Sequence, residues 1–396
     1  MKSTSKNAFI SSLILLLVTF QIKAQTLEQL PLQIPNNSSK SEKMTGYNIS
    51  QMNIPIQLSL APGMTTNPNY LFINNNLSLN LTLGDGYMLN GFQFSIISNR
   101  LLQELKGVQL SMISNYTGGS VTGIQTSLFY NESSLSVNGV QLSAMVNYTF
   151  NLNGIQIGLA NFHETGNGIQ AGVLNSNKYS SEGTQIGLMN LGSESIKNQS
   201  GIINIADSTF GSQIGLINKA EYSEGFQIGI VNISENNQGY SVGMINILKN
   251  GRNNFEINMN ESNVQFIQYR TGSQRFQFVY RIGFKPMDPQ TPFLTGLGFS
   301  LKKPFDFISV GYDLLVDKVS YNKIWDSNLS FLIRNQFVIE GEVTSWFRIM
   351  AGISLNAYGS ELKNGYQVVN GKDHFDPVNN AWYRVGLGYT AGISLF

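Results

Sequence analysis

The chain is poor in the residues that build most reactive or metal-binding sites. Its 396 residues contain no cysteine and only two histidines, and charged residues make up 12% of the sequence. The lack of cysteine excludes a disulfide, a thiolate metal site and a lipid-modified amino-terminal cysteine. Binding to nucleic acid requires clustered positive charge, and the formal net charge is only +1. We therefore expect no nucleic-acid partner.

Long hydrophobic runs are absent apart from one at the amino terminus. Lys2 and Lys6 precede an apolar run at residues 8–20, and Ala24 follows a short polar bridge. The run is shorter than the roughly 20 apolar residues of a transmembrane helix, and its flanks are typical of a secretory signal peptide. We predict that residues 1–24 are a signal peptide cleaved near Ala24. Together with the lack of disulfides, this indicates a protein of the bacterial cell envelope, at the outer membrane or cell surface.

A regular alternation of apolar and polar residues begins after a polar segment. Residues 25–50 are rich in Asn, Ser, Lys and Pro, which predicts a tether without a core of its own. Residues 51–90 are predicted to form amino-terminal β-strands, because every second residue of 54–60 and 77–83 is aliphatic. This period of two places one face against hydrocarbon or a core and the other against water.

An eight-residue phrase recurs through residues 91–260. Examples are GVQLSAMV from Gly139, GIQIGLAN from Gly154 and GFQIGIVN from Gly225, and the interval between copies tightens from 16 residues to 14. So short a period is typical of one supersecondary unit copied in tandem. Each phrase reads as a short strand with an Asn at its end, where the chain must turn. The sequence therefore predicts an all-β array of tandem repeats.

Two arrangements of these repeats are open. The apolar face of one copy spans about 13 to 20 Å, short of the band about 25 Å tall that a membrane barrel presents. A barrel also repeats in hairpins, whereas here every copy resembles the next. A parallel β-solenoid, in which identical positions stack, is therefore favoured. A continuous barrel wall is the alternative, because the segments between phrases carry few apolar residues to fill a solenoid core.

One polar residue type recurs at the same position of the phrase. Structurally, such a row would form a hydrogen-bonded ladder of amides, and the Asn row would do the same. Functionally, either row could line a glycan-binding surface, since stacked amides suit sugar hydroxyls. The Gln row comprises Gln93, Gln109, Gln125, Gln141, Gln156, Gln170, Gln185, Gln213 and Gln227.

The carboxy-terminal third, residues 261–396, loses the repeat and gains longer alternating runs. Apolar residues occupy every second position of 276–284, 308–316, 347–357 and 383–395. These runs match the roughly 9–11 residues that a tilted strand needs to cross an outer membrane. We predict an antiparallel barrel of the outer-membrane type, completed with help from residues 52–84.

The tandem G-x-Q-x-G-x-x-N phrases resemble those of a bacterial family of surface-repeat proteins that is common in Bacteroidota. The similarity extends over residues 50–396 and includes LAPGMTTN at 60–67 and GISLF at 392–396. It implies a location in the outer membrane, but no assigned activity that would transfer to particular residues. The chain departs from many outer-membrane proteins in having small or polar residues, not apolar ones, at alternate places before Phe396.

Patterns for catalysis or for a cofactor are not found. His163 and His374 are too few for a zinc cluster, and both are expected to face solvent. Glu340 and Glu342 lie on one face of a strand, where a solvated face is a commoner reading than a catalytic pair. We expect no cofactor and no enzymatic activity.

Three functions remain open at this point. The leading hypothesis is a non-enzymatic outer-membrane or cell-surface β-protein with a structural or interaction role, whose partners are outer-membrane lipid and a surface glycan or protein. A pore for small solutes is the first alternative, with Arg281, Arg348 and Arg384 as candidates for a lumen. A secreted adhesin or glycan-binding solenoid is the second.

Overall fold

The computed structural model describes residues 53–286 (except 62, 68 and 69), 292–321, 327, 329–361, 369, 372–376 and 381–395. The predicted signal peptide, 1–24, and the predicted tether, 25–50, lie outside the described residues. All described residues belong to one compact unit, Ile49–Phe396.

Strands make up 79% of the described chain, which confirms the predicted all-β class. A short 3₁₀ turn lies at Tyr70–Phe72, and the described residues include no helix that is long and apolar enough to cross a membrane. The strands are β1 (Asn53–Ala61), β2 (Met64–Thr65), β3 (Asn74–Asn80), β4 (Leu83–Gly86), β5 (Met88–Ser95), β6 (Ser98–Leu101), β7 (Leu105–Ser111), β8 (Ser114–Thr117), β9 (Val121–Ser127), β10 (Tyr130–Val137), β11 (Val140–Ser143), β12 (Val146–Leu152), β13 (Ile155–Ile157), β14 (Ala160–Gly166), β15 (Ile169–Asn177), β16 (Ser181–Thr209), β17 (Ser212–Ile214), β18 (Ile217–Ser223), β19 (Phe226–Asn237), β20 (Tyr240–Leu248), β21 (Arg252–Asn260), β22 (Gln265–Gly272), β23 (Phe276–Phe284), β24 (Pro292–Pro304), β25 (Ile308–Tyr321), β26 (Ser330–Thr344), β27 (Phe347–Ser360), β28 (Asp373–Asp376) and β29 (Ala381–Leu395).

Strands β1 to β20 form a parallel β-solenoid of about 12 turns. Identical positions of successive repeats pair in register, as Gln125 does with Gln141 and Asn131 with Asn147. Apart from the short β1–β2 hairpin, the pairs in this sheet are parallel. The prediction of a solenoid is thus confirmed, and the continuous barrel wall is wrong because an antiparallel wall would alternate strand direction.

The tightening of the repeat follows from shorter corners. From Gln109 to Asn115 the chain advances six residues, whereas from Gln156 to Asn161 it advances five. In the 16-residue turns a Ser lies two residues after the Gln, as Ser143 does after Gln141. In a shorter turn a Gly takes this place, as Gly158 does after Gln156. A Cβ on Gly158 would lie 2.8 Å from the Asn147 amide nitrogen and 3.0 Å from the Ser143 hydroxyl. The narrower turn therefore excludes a side chain at that place.

Leading glycines of the phrase stack where successive turns approach most closely. Gly123 has a φ of +134°, a conformation that L side chains rarely adopt. A Cβ on Gly123 would also lie 2.0 Å from the carbonyl oxygen of Gly107, and one on Gly139 would lie 2.0 Å from that of Gly123. Glycine is thus required here both by backbone conformation and by the spacing of the turns.

Eight antiparallel strands, β21 to β27 and β29, close into a barrel through the β21–β29 pairing. The short strand β28 pairs with the opening residues of β29. Two boundaries differ from the sequence prediction. Residues 53–80 extend the parallel stack, where β1 pairs with β3 and β3 with β5, and contribute no barrel strand. The barrel begins at Arg252 and not at residue 261, because β21 pairs antiparallel with both β22 and β29.

The last turn of the solenoid packs directly on the barrel. The backbone N–H of Asn246 donates to the Thr271 hydroxyl at 3.2 Å, and that hydroxyl donates to the Asn246 carbonyl at 3.0 Å. The phenol of Tyr280, on the outer face of β23, donates to the Met244 carbonyl at 2.9 Å. These contacts occupy edge groups of β20 that would otherwise be free to pair with another strand.

Both modules are apolar outside and carry buried polar side chains inside, and the barrel also holds a buried apolar cluster that includes Phe266, Leu294 and Leu332. In the solenoid, the Gln and Asn rows point inward and are buried, while the large apolar residues beside them, such as Ile157 and Leu216, point outward and are exposed. In the barrel, Arg270 and Arg334 are buried, whereas Leu387 is 78% exposed. A short buried apolar row supplements the solenoid interior at Leu89, Leu101, Leu105, Val121, Val137 and Leu152.

We expect Gly123→Ala to destabilise the solenoid by more than about 1–3 kcal/mol, because a strained backbone conformation is added to a steric overlap with Gly107. Urea unfolding of the full chain, followed by far-UV circular dichroism, measures the change. The neighbouring exposed residue supplies the control, Thr122→Ala, which should alter stability by less than about 0.5 kcal/mol. Equal stability of the two variants would contradict the close approach of the turns.

Candidate functional site

All nine glutamines singled out in the sequence lie in one buried ladder. Each is at most 1% exposed, and each amide nitrogen donates to the side-chain oxygen of the Gln one turn earlier wherever that neighbour is a Gln. The Nε2···Oε1 distances are 2.8 Å from Gln141 to Gln125 and 2.8 Å from Gln156 to Gln141. Sequence reasoning omitted one member, Gln199, which joins Gln185 and Gln213 at 2.9 and 2.8 Å. Its phrase opens with Lys197 in place of the usual glycine, which concealed the match.

The second N–H of the glutamine amide donates to a backbone carbonyl on the other side of the solenoid interior. Gln125 donates to the backbone carbonyl of Glu132 at 3.1 Å and Gln141 to that of Tyr148 at 3.2 Å. Both amide protons of such a residue are therefore used inside the protein. Because the glutamines are also buried, this row presents no surface to a glycan.

The asparagine row forms a second ladder with the opposite direction of donation. Asn115 donates to the Asn131 side-chain oxygen at 2.9 Å, toward the carboxy terminus, whereas each Gln donates toward the amino terminus. The second proton of the Asn115 amide goes to the backbone carbonyl of Thr126 at 2.7 Å. Hydrogen-bonded chains of this kind polarise one another, and their removal leaves buried partners unpaired.

Both ladders end in defined partners beside the barrel. The Gln227 side-chain oxygen accepts from the Ser241 hydroxyl at 3.0 Å and from the Asn237 amide at 3.2 Å. The Asn246 amide, the last of the asparagine row, donates to the Gly243 carbonyl at 2.9 Å. The rows are thus closed at this end by side chains and carbonyls of the protein itself.

His163 lies in the solenoid interior, where the prediction of a solvent-facing residue is wrong. It stands in register with Thr149 and Asn177, is 3% exposed, and its Nε2 lies 3.3 Å from the Ser181 hydroxyl. Burial lowers the pKa of His163 to about 4, against a hydrogen bond with Gln170 that raises it. The side chain simply occupies a place that Thr or Asn fills in neighbouring turns. His374, in contrast, is exposed as predicted.

Ion pairs fill the middle of the barrel. The Arg270 guanidinium contacts Glu256 at 2.7 Å and Asp313 at 2.7 and 3.2 Å, and all three side chains are fully buried. Arg281 lies 2.7 Å from Asp317 and stacks over the Phe266 ring at 3.6 Å. Eight-stranded barrels have an interior just wide enough for such side chains. The arrangement pairs these buried charges with one another and fills the barrel interior where they lie.

Glu340 and Glu342 lie on one face of β26 and line the same cavity at one end of the barrel. Glu340 is buried and paired with Lys302 and, at 2.8 Å, with Arg252. Glu342, at the exposed rim, is paired with Arg348 at 2.5 Å. Each glutamate is therefore held by its own cationic partners.

The three arginines proposed for a lumen have different surroundings. Arg281 is buried in the barrel, and Arg348 lies at its rim. Arg384 is buried and donates to the Val369 carbonyl at 3.3 Å. Within the described part of the chain, no group of three or more His, Asp or Glu side chains is placed to hold a metal ion.

A shallow cavity of about 280 Å³ opens at the barrel end that carries the short turns. Its lining includes Arg252, Pro304, Phe307, Glu340 and Arg348. A wider apolar groove of about 850 Å³ lies at the first turns of the solenoid and includes Leu58, Met64 and Phe94. In the smaller cavity the Ser309 hydroxyl donates to the Glu340 carboxylate at 3.2 Å, and the same carboxylate is paired with Lys302 and Arg252.

No family model, curated protein or solved structure matches the chain. The resemblance to a surface-repeat family therefore stays a prediction.

We expect Gln141→Leu to destabilise the solenoid by at least about 2 kcal/mol, because the buried Gln125 would lose its hydrogen-bond donor and the buried Gln156 its acceptor. Urea unfolding provides the measurement. The exposed Gln103 gives a matched control, Gln103→Leu, which should be nearly neutral. A loss equally small in both variants would mean that the ladder contributes little to stability.

Acid should weaken the solenoid through His163. Its folded-state pKa of about 4 lies below the unfolded value near 6.5, so the unfolded state binds the proton first. The stability is complete above about pH 6.5 and falls by roughly 3 kcal/mol as the pH drops to about 4. The free energy of unfolding is measured with urea at pH 7 and pH 4.5. In His163→Thr the part of its decrease that is due to His163 should disappear. An unchanged pH profile in the variant would assign the acid sensitivity to other groups.

Proposed function

We propose that the protein is a non-enzymatic β-protein of the bacterial outer membrane, in which the barrel is a lipid-embedded anchor and the solenoid is the displayed structural or interaction module. The observation that carries this proposal is the apolar outer face of a closed barrel. Leu387, Ile353 and Phe337 are 78%, 68% and 62% exposed there. Patches of this extent are rare on proteins that face water on all sides.

Strand length and aromatic placement support a membrane location for the barrel. Strands β24 to β27 and β29 have 13 to 15 residues each, sufficient for a tilted crossing of the hydrocarbon. Exposed aromatic residues stand near both ends, with Phe307 and Trp346 at the short turns and Tyr383 and Phe375 at the opposite end. Aromatic girdles of this kind mark the two interfaces of outer-membrane barrels.

The filled interior favours an anchor over a pore. The ion pairs of Arg270 and Arg281 occupy the space through which a solute would pass. A secreted adhesin is disfavoured for a different reason, since water would then face the apolar exterior of both modules. A glycan or protein ligand would have to meet residues other than the buried amide rows.

We expect Leu387→Arg to impair assembly of the barrel, because a charge near the middle of β29 would face hydrocarbon at a cost of about 2–4 kcal/mol. The measurement is recovery of the protein in the outer-membrane fraction, together with the shift in gel migration on boiling that folded barrels show. Ser345→Arg, in an exposed turn, is the control and should insert normally. Recovery of the unmodified protein in a soluble fraction, without a heat-dependent shift, would overturn the proposal.

A further inference from the structure

An apolar ridge runs along one corner of the solenoid. In each turn the third and fourth residues after the Gln-row position form this corner. The third residues are Ile96, Met112, Leu128, Ala144, Leu159, Val173, Leu188, Ile202, Leu216, Ile230 and Met244, and the fourth are Ile97, Ile113, Phe129, Met145, Ala160, Leu174, Met189, Ile203, Ile217, Val231 and Ile245. All are apolar over eleven consecutive turns, and most of the larger ones are 37% to 56% exposed.

Charged residues are confined to the opposite side of the turn. Within residues 91–248, the charged positions lie between the residue after the Asn and two residues before the next Gln. Glu164 and Lys178 form an ion pair there at 3.3 Å. The cross-section of the solenoid is therefore amphipathic, with an uncharged corner and a charged return.

The backbone of the ridge is already paired within the protein. The N–H of Phe129 donates to the Ile113 carbonyl at 3.1 Å, and the N–H of Leu216 to the Ile202 carbonyl at 3.0 Å. Hydrocarbon accepts backbone only when its N–H and C=O groups are satisfied internally. The corner meets this condition from turn to turn.

The ridge is continuous with the outer wall of the barrel. Its last member, Met244, accepts a hydrogen bond at its carbonyl from Tyr280, which lies in the middle of β23. On the same face of β23, Ile282 and Phe284 are exposed. The apolar surface thus passes without a charged boundary from the solenoid corner to the barrel face that we assign to lipid.

We propose that the ridge is embedded in the acyl chains of the same membrane that holds the barrel, so that the solenoid lies along the bilayer with its charged return toward water. The ten spacings between eleven turns, at about 4.8 Å each, give a ridge about 48 Å long. The hydrocarbon is only about 30 Å thick. The ridge therefore lies closer to the membrane plane than to its normal. This inference rests on the proposed membrane location of the barrel.

Single cysteines test the ridge directly, because the chain has no cysteine of its own. The full chain is reconstituted into vesicles of phosphatidylcholine and phosphatidylglycerol after labelling with an environment-sensitive fluorophore. The ridge positions are Leu128→Cys and Leu216→Cys, and Ser193→Cys is the control on the charged return. Leu387→Cys reports on the barrel wall. Quenching by spin-labelled lipid and by aqueous iodide is compared at each position.

Lipid insertion predicts that ridge probes are quenched by spin-labelled lipid to the same degree as the Leu387 probe, and that only the Ser193 probe is quenched by iodide. Ridge probes that respond to iodide while the Leu387 probe responds to lipid would overturn the ridge inference and leave the barrel anchor standing. Protection of the ridge probes from both quenchers would assign the ridge to a second protein copy and also overturn it. Iodide quenching at Leu387 would remove the proposed function itself.

Discussion

A buried polar core depends on the pairing of its amides. In this protein the Gln and Asn side chains reach the neighbouring turn with one N–H and the opposite backbone with the other. A buried amide without a partner is costly, so each turn must place its two amides in register with those of the next. The period of 14 to 16 residues, the stacked glycines and the parallel direction of the strands all serve that registration.

A core built from amides determines the exterior as well. Because strand residues alternate between two faces, the apolar residues beside each Gln have no place inside and must point outward. The barrel follows the same rule with charges in place of amides, since Arg270, Glu256 and Asp313 satisfy one another inside while aliphatic residues face out. Two different folds in one chain thus share one feature, large apolar side chains on the outside.

Much of this architecture could be read from the sequence, but the direction of its faces could not. The tandem phrases predicted the solenoid, and the longer alternating runs after residue 261 predicted the barrel. A period of two is the same whichever face is buried, so the pattern alone left open that Gln156 would be inside and Ile157 outside. His163 was misplaced because the residues after Asn161 read as a turn, whereas they belong to β14, in which His163 points inward. Gln199 and the first barrel strand at Arg252 were missed because their local sequence departs from the patterns around them.

The constant direction of donation within each ladder makes each turn an interchangeable unit. In the Gln row every internal turn donates to the turn before it and accepts from the turn after it, and in the Asn row it does the reverse. Removing or duplicating a whole turn would leave the same groups facing the barrel at Asn246 and the same groups at the first strands. Stability in such stacks is close to a sum over neighbouring turns. The length of the array is therefore free to change by gene-segment duplication without redesign of either end.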